Sequence, residues 1–360
     1  MRLTRKPPIR YGTLLCARRY TVPPRVDQPL WCATGRGGLE LAAMALGLHG
    51  GQAVLLPAYI CDVALIPLEQ LGLRPLWYGL KADLSPCWDE IQAKISQTTA
   101  ALLMHPFGQP QDATRFASLC EAAGVFFLED NAHGYGASLQ GKLLGTWGDA
   151  GIASPWKQYP IPHGACVWFR EEENAMRART LYSQWSDASL PMFKPWCRSS
   201  VRKLLALFPS VRRAILAPPH GASDLGETCH KPPERIHPAV RAALRSVAPV
   251  QDAAQRREIY DIWHRWLQRT NLRPVFPTLV SEAAPLCFPV YAPNESIRNR
   301  WLAWGWQYDI AVHTWPELPL SLRTQPEAMA RWQVLLCFPI HQQMSPSRLH
   351  SYLDSLPRVD

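Results

Sequence analysis

The sequence contains no pair of cysteines with C-x-x-C spacing, although ten cysteines are distributed over its 360 residues. They occur singly, from Cys16 to Cys337. Structural zinc sites usually draw their thiolates from closely spaced pairs, so we expect no metal site. Unpaired thiols are typical of a reducing compartment, which favours a cytoplasmic protein.

A long apolar run is also lacking. No stretch approaches the 18 continuous apolar residues that suggest a membrane-spanning helix. The first 20 residues are basic and have no apolar stretch long enough for a signal peptide. We therefore expect neither a membrane span nor a cleaved leader.

The composition is that of a globular protein, with 47% hydrophobic and 19% charged residues. The formal charge of +9 permits an acidic partner, but no nucleic-acid-binding motif is present, so no nucleic acid is expected. Residues 194–213 alternate basic with apolar residues. This pattern is typical of a helix that lies on a membrane surface or meets a phosphorylated substrate, and more often of a solvated helix face over a core.

The pattern between residues 34 and 153 predicts a mainly parallel sheet flanked by helices. Strands that are continuous apolar runs alternate with helices, and such strands are buried on both faces. The predicted strands are 54–56, 75–78, 100–104, 125–128 and 150–153, and the helices are 34–48, 60–71, 89–97 and 113–123. The chain is long enough for a second domain. There, a helix at 251–268 precedes strands at 286–290, 310–312 and 335–339, with a helix at 294–304.

We predict three parts: an N-terminal arm at 1–30, a large α/β domain at 31–245 and a small C-terminal α+β domain at 246–360. The arm contains two Pro-Pro pairs. It wraps the large domain or a partner subunit, or else it is a frayed tail.

A glycine-rich turn opens the first helix, where the sequence reads TGRGGLELAAMALGL from Thr34. Free N–H groups at a helix start attract anions, and glycines allow a phosphate to approach. Arg36 adds a positive charge. An ordinary turn before a buried helix is the alternative.

Between residues 125 and 157, polar residues follow two of the predicted strands. The apolar run 125–128 is followed by Glu129-Asp130 and His133, and the run 150–153 is followed by Ser154 and Lys157. A pyridine-type cofactor needs an acid for its ring nitrogen and a phosphate anchor, and a lysine can bind its carbonyl. Asp130, Lys157, Ser154 with the Gly35–Gly38 turn, and Tyr59 or Cys61 against the ring could supply these parts. Each residue alone is more typical of a cap, a turn or a solvated side chain.

Four segments resemble the DegT/DnrJ/EryC1/StrS sugar aminotransferases, which are pyridoxal-phosphate enzymes of fold type I. They are TGRGGLELAAMALGL, LLPAYICDVALIPLEQLGLRPLW, MHPFGQPQD and EDNAHGYGA, of which the last is the most specific. The closing segment LLCFPIHQQMSP is similar as well. The resemblance implies a mainly parallel sheet flanked by helices and a smaller C-terminal α+β domain.

The resemblance also implies a role for each matched residue. Lys157 would bind the cofactor covalently and later carry a proton, Asp130 would pair with the pyridine nitrogen, and His133 would lie near the ring hydroxyl. The phosphate would be held by Ser154 with Gly35, Arg36 and Gly37. The position against the ring falls at Cys61, with Tyr59 two residues earlier, and both remain candidates. His105 and His313 are candidates for the substrate side, although a structural histidine is the alternative for His313.

The sequence departs from the family at two places. The lysine loop, SPWKQYPIPHGA, is two residues shorter than the usual pattern and rich in proline. No clear Asn-x-Arg-Met segment, which normally reaches the neighbouring subunit's phosphate, occurs at 215–245.

The function implied by the resemblance is transfer of an amino group from an amino acid, such as glutamate, to a keto group of a sugar nucleotide or related metabolite. Such a cytoplasmic homodimer would serve polysaccharide biosynthesis. The alternatives are other chemistry on the same cofactor, such as dehydration or a lyase reaction, and a non-catalytic scaffold.

Overall fold

The computed structural model describes residues 2–9, 29–190 and 232–357. Most of the predicted arm and the whole basic stretch 194–213 lie outside the described residues. Within the described ranges, no helix combines the length and the apolar character needed to cross a membrane.

A seven-stranded sheet organises the first part of the chain. Its strands, with a small hairpin between them, are β1 (Leu30–Cys32), β2 (Ala53–Pro57), β3 (Arg74–Tyr78), β4 (Ala100–Met104), β5 (Phe126–Asn131), β6 (Ser138–Leu139), β7 (Lys142–Leu143), β8 (Ala150–Ala153) and β9 (Ala165–Phe169). The order is β1-β9-β8-β5-β4-β2-β3, and β6 pairs with β7. The neighbouring pairs β3–β2, β2–β4, β4–β5 and β5–β8 are parallel, whereas β9 runs antiparallel to β8 and β1. The prediction of a mainly parallel sheet is confirmed.

Five helices accompany these strands, and the sequence predicts the first four of them to within a few residues. They are α1 (Gly35–Ala45), α2 (Asp62–Gln70), α3 (Trp88–Lys94), α4 (Ala113–Ala123) and α5 (Glu172–Ser183). At the start of α4, the Asp112 side chain accepts a hydrogen bond of 2.9 Å from the Arg115 N–H. The helix ends at Gly124, whose φ of 64° is the left-handed conformation that glycine adopts readily.

The strand β5 is longer than the sequence predicts. Its predicted end is residue 128, but pairing continues on both sides, so that Asp130 lies beside Met104 of β4 and Ile152 of β8. Both acids, Glu129 and Asp130, therefore lie within the last residues of a buried strand instead of in the following loop.

The rest of the described chain forms a smaller antiparallel sheet with helices. Its strands are β10 (Arg273–Pro274), β11 (Cys287–Tyr291) and β12 (Leu335–Pro339), in the order β10-β11-β12. The helices are α6 (Pro238–Leu244), α7 (Pro249–Leu267), α8 (Glu295–Gln307), α9 (Leu320–Arg323), α10 (Pro326–Val334) and α11 (Pro346–Asp354). The domain boundary near residue 245 stays a prediction.

The predicted strand at 310–312 is wrong. Ile310 makes an isolated bridge to Leu3, and His313 makes another to Cys337. Between them the Val312 N–H donates to the Ile310 carbonyl over 2.8 Å, so the backbone turns. The β-branched residues of this segment favour a strand locally, but no neighbouring strand pairs with it over its length.

Tryptophans fill the core of the smaller part. Trp301 of α8 is completely buried, and its ring centroid lies 5.0 Å from that of Trp304 and 6.2 Å from that of Trp266 on α7. The packing of α7 and α8 over the small sheet depends on these large rings.

We expect Trp301→Ala to lower the free energy of unfolding by about 3–5 kcal/mol, because removing a large aromatic side chain from a packed core leaves a cavity. Trp306→Ala on the same helix is the control, since that ring is 38% exposed, and its cost should be about 0.5 kcal/mol or less. Urea unfolding followed by circular dichroism compares the two variants. Equal losses would contradict the burial of Trp301.

Candidate active site

A cavity lies at the carboxyl ends of β4, β5 and β8, where open parallel sheets usually bind ligands. Polar groups from separate parts of the chain line it: Gly35, Arg36, Asp130, His133, Ser154 and Lys157. We call it the strand-end cavity. It adjoins a larger cavity of about 570 Å³, and the two share Cys61, His133, Lys157 and Trp315.

Glu129 is a structural carboxylate. It is buried, and its two oxygens accept four hydrogen bonds: from His105 Nε2 (3.0 Å) and the backbone N–H groups of Gly145 (2.7 Å), Trp147 (2.6 Å) and Gly148 (3.3 Å). Since these donors come from the residue directly after β4 and from the connection to β8, Glu129 ties that connection to the sheet.

Asp130 is equally buried but has fewer partners. Among the described residues it accepts one hydrogen bond, of 2.8 Å, from the Ala132 N–H. Burial raises the pKa of Asp130, and the neighbouring Lys157 ammonium offsets part of that rise. A buried carboxylate that lines a cavity with spare acceptor capacity suits a cationic N–H donor.

His133 is held as a neutral ring. Its Nδ1 accepts a hydrogen bond of 3.1 Å from the Phe107 N–H, so Nε2 carries the proton. Burial, with a smaller contribution from the Lys157 charge, holds the pKa of His133 well below its usual range. The ring stacks on Phe107 and meets the edge of Trp315 at a centroid distance of 4.9 Å. His133 therefore presents an N–H donor.

Ser154 lies beside the start of α1. Its Oγ is buried and has no hydrogen-bond partner among the described residues. A Cβ placed on Gly35 would come within 3.3 Å of this oxygen, so the glycine leaves the hydroxyl accessible. Gly37 does not line the cavity. Its N–H donates to the Thr34 hydroxyl over 3.2 Å and so caps the helix. Anion-binding capacity therefore lies at Gly35, Arg36 and Ser154.

Lys157 ends a short 3₁₀ turn, Pro155–Lys157, directly after β8. The next side chain, Gln158, is buried and donates to the carbonyl of His133 (2.9 Å) and to that of Ala284 (3.1 Å). It thereby fastens the lysine loop to the loop after β5 and to the smaller part of the chain. Sequence reasoning missed Gln158, although its place beside Lys157 was a signal.

Of the two candidates for the ring position, Cys61 lines the cavity and Tyr59 does not. The Tyr59 side chain is fully buried and donates from its hydroxyl to the Trp315 carbonyl over 2.9 Å. Burial raises the pKa of Cys61 to about 12, so the group in the cavity is a neutral thiol.

The two histidines proposed for the substrate side lie in different places. His105 is fully buried; its Nε2 donates to Glu129, and its Nδ1 accepts from the Gln111 N–H at 3.0 Å. Both nitrogens are therefore engaged away from the cavity. His313 lines the larger cavity, and burial holds its pKa well below the usual range.

Trp315 is a cavity residue that the sequence did not indicate. It lines both cavities and packs edge to face against His133, Phe107 and Tyr59. Because these partners lie in the segments that follow β2, β4 and β5 of the large sheet, Trp315 covers the site from the smaller part.

Residues 26–189 match the DegT/DnrJ/EryC1/StrS aminotransferase family. Over 142 residues the chain is 29% identical to GDP-perosamine synthase of Vibrio cholerae, covering 39% of each protein. Over 159 residues it is 30% identical to dTDP-4-dehydro-2,3,6-trideoxy-D-glucose 4-aminotransferase of Saccharopolyspora spinosa, covering 43% of this chain and 41% of that protein. The chain thus spans about two fifths of these relatives' length.

The likeness of the folded chain extends further. The aminotransferase TlmJ of Streptoalloteichus hindustanus superposes with a TM-score of 0.73, covering 98% of this chain and 97% of that one, at 22% identity. At this identity the likeness shows the fold alone. The predicted fold class, the fold type I of pyridoxal-phosphate transferases, is confirmed.

We expect Glu129→Gln to lower the free energy of unfolding by about 3–5 kcal/mol, because an amide supplies one acceptor oxygen where four donors converge in a buried site. Glu121→Gln on the exposed face of α4 is the control, with an expected change of about 0.5 kcal/mol or less. Urea unfolding measures both. A Glu129→Gln protein as stable as the control would refute the structural role.

Proposed function

We propose that this chain, which over residues 26–189 belongs to the DegT/DnrJ/EryC1/StrS aminotransferase family, is a pyridoxal-phosphate-dependent aminotransferase. The observation that carries the proposal is the lining of the strand-end cavity. Counting partners among the described residues, one cavity contains a buried carboxylate with a single partner (Asp130), a buried hydroxyl without one (Ser154) and a lysine amine (Lys157). These are the groups that the ring nitrogen, the phosphate and the carbonyl of pyridoxal phosphate require.

The residues fit the cofactor group by group. Asp130 would face the ring nitrogen, and Cys61 would lie against the ring. Ser154 would bind the phosphate together with Gly35 and Arg36, where the dipole of α1 favours an anion. When bound, pyridoxal phosphate supplies an electron-withdrawing ring that makes a proton on the carbon of a substrate amine acidic.

Asp130 and His133 would act by holding protons. The Asp130 carboxylate would keep the ring nitrogen protonated, because a negative charge at low dielectric stabilises the adjacent cation. His133 is neutral, and its Nε2–H would donate to an oxygen on the ring. Since Phe107 N–H occupies Nδ1, His133 cannot turn its acceptor nitrogen toward the cavity without losing that bond.

Lys157 would move the proton. Its Nζ would take a proton from the substrate carbon and return it at another position, as a general base and then a general acid. Gln158 holds the turn that carries it. Trp156 and Trp315 line both cavities and would exclude water from the reacting groups.

For the substrates we propose an amino acid, such as glutamate, as amino donor and a keto group of a sugar nucleotide or related metabolite as acceptor. The support is the sequence similarity to enzymes named for such sugars. The larger cavity, which contains His313 and Arg323 beside Lys157, offers room for the acceptor. We also propose a cytoplasmic homodimer with the domain division at 31–245 and 246–360.

The test of the function is a single turnover with glutamate. Protein loaded with pyridoxal phosphate should show a visible absorption band, which glutamate should remove while one equivalent of 2-oxoglutarate is released per chain. A band that persists with every amino acid tried would favour a lyase or dehydratase reaction instead. A protein that does not bind the cofactor at all would favour a non-catalytic scaffold.

We expect Lys157→Ala to abolish covalent attachment of the cofactor. After borohydride reduction, mass spectrometry should find the cofactor on the peptide that contains Lys157 in the wild type and in no peptide of the variant. The rate of 2-oxoglutarate release should fall on the order of 10²- to 10⁴-fold, the contribution of a positioned proton carrier. Lys142→Ala, at an exposed position, should behave as wild type. Borohydride trapping on another lysine would exclude this role for Lys157.

We expect Asp130→Asn to weaken cofactor binding without lowering the stability of the cofactor-free protein. Losing a hydrogen bond to a charged group should weaken cofactor binding on the order of 10- to 100-fold. Because burial raises the pKa of Asp130, the ionised carboxylate costs folding free energy above its unfolded pKa, near 4. That cost grows as pH rises toward the folded pKa and is absent in the amide. Without cofactor at pH 7, the variant should therefore unfold at an equal or higher urea concentration than wild type. A variant that is less stable yet binds the cofactor normally would contradict this assignment.

A further inference from the structure

The first described residues are built onto the smaller part of the chain. Leu3 is buried; its N–H donates to the Asp309 carbonyl (2.9 Å), and its carbonyl accepts from the Ala311 N–H (2.8 Å). This pairing fixes the direction of the segment 2–9. Two residues later the segment reaches the larger cavity, which Arg5 and Lys6 line together with Lys157.

The Lys6 side chain bonds to the lysine loop itself. Its Nζ donates to the Trp156 carbonyl at 3.0 Å and lies 3.5 Å from the Ile161 carbonyl. The same ammonium lies 4.3 Å from the centroid of the Trp156 ring, within the range of a cation–π contact. Lys6 thus contacts the residue before Lys157 through both backbone and side chain.

Five backbone hydrogen bonds within the lysine loop serve the carbonyls of Ser154, Pro155, Tyr159 and Gly164. Prolines at 155, 160 and 162 remove three backbone donors from the stretch between Ser154 and Gly164. Carbonyls are therefore in excess, and side chains from elsewhere in the chain donate to three of them. Lys6 serves Trp156 and Ile161, and Gln342 Nε2 donates to the Gln158 carbonyl at 3.3 Å.

We propose that Lys6 is a positioning residue for Lys157: it fixes the backbone of the lysine loop from the N-terminal segment. The inference rests on the proposed function, because it concerns the efficiency of a lysine that reacts there. The contacts that carry the inference are those of Lys6 with the Trp156 and Ile161 carbonyls and with the Trp156 ring. The segment 2–9 is then part of the active site.

The test compares Lys6→Met, Lys6→Arg and the control Arg2→Met, which changes an exposed cation of the same segment. Hydrogen–deuterium exchange without cofactor reports on the loop alone. Peptides covering 154–164 should exchange on the order of tenfold faster in Lys6→Met, as expected for a lost charge-assisted hydrogen bond. Peptides from β4 should not change, and Lys6→Arg should restore most of the protection.

Kinetics provide the second readout. In Lys6→Met, the rate at which glutamate removes the visible band should fall on the order of tenfold at saturating glutamate, with the KM for glutamate changed less than about twofold. Lys6→Arg should recover most of this rate. Wild-type exchange and rate in Lys6→Met, a loss that Lys6→Arg does not recover, or unfolding of the whole Lys6→Met protein would each overturn the inference. Failure of the proposed function looks different, since the wild type itself would then show no response to glutamate.

Discussion

Two adjacent buried carboxylates with unequal hydrogen bonding set up the rest of the site. Glu129 accepts four hydrogen bonds, and Asp130 accepts one among the described residues. Successive side chains of a strand point to opposite faces of the sheet, so one acid faces the connection to β8 and the other faces the cavity. The hydrogen bonds of Glu129 hold this region rigid. The Asp130 carboxylate can therefore keep part of its hydrogen-bonding capacity unused. A cofactor that supplies the missing donor would recover part of the cost of burying Asp130.

The position of Lys157 depends on contacts from both parts of the chain. Gln158 connects its loop to the His133 carbonyl and to Ala284. Beyond it, the Tyr159 hydroxyl donates to Asp252 of α7 over 2.8 Å. A short loop that contains three prolines has little conformational freedom, and these bonds select one of the shapes that remain. The shortened loop is therefore compatible with a well-defined lysine position.

Local patterns in the sequence predict most strands and helices between residues 53 and 153 to within a few residues, and they also indicate the polar groups of the site. Asp130, Ser154 and Lys157 could be found because apolar strands lead to them and parallel strands end at one edge of a sheet. Trp315 could not be found, because its approach to His133 depends on how the small sheet packs against the large one. The same reason explains the wrong strand at 310–312, since pairing partners are a property of the whole fold.

The part of the sequence that matches the family supplies the groups proposed to bind the cofactor, and the rest supplies much of the wall of the larger cavity. The polar groups proposed for the cofactor lie within residues 26–189, the range that matches the family. Much of the wall of the larger cavity comes from outside it, including Arg5, His313 and Arg323. If the proposed function holds, the chemistry of the cofactor ring constrains the first set of residues and the shape of the acceptor constrains the second, so the two sets can vary independently. Similarity within 26–189 therefore supports the proposed reaction class. The identity of the acceptor must be inferred from the residues that line the larger cavity.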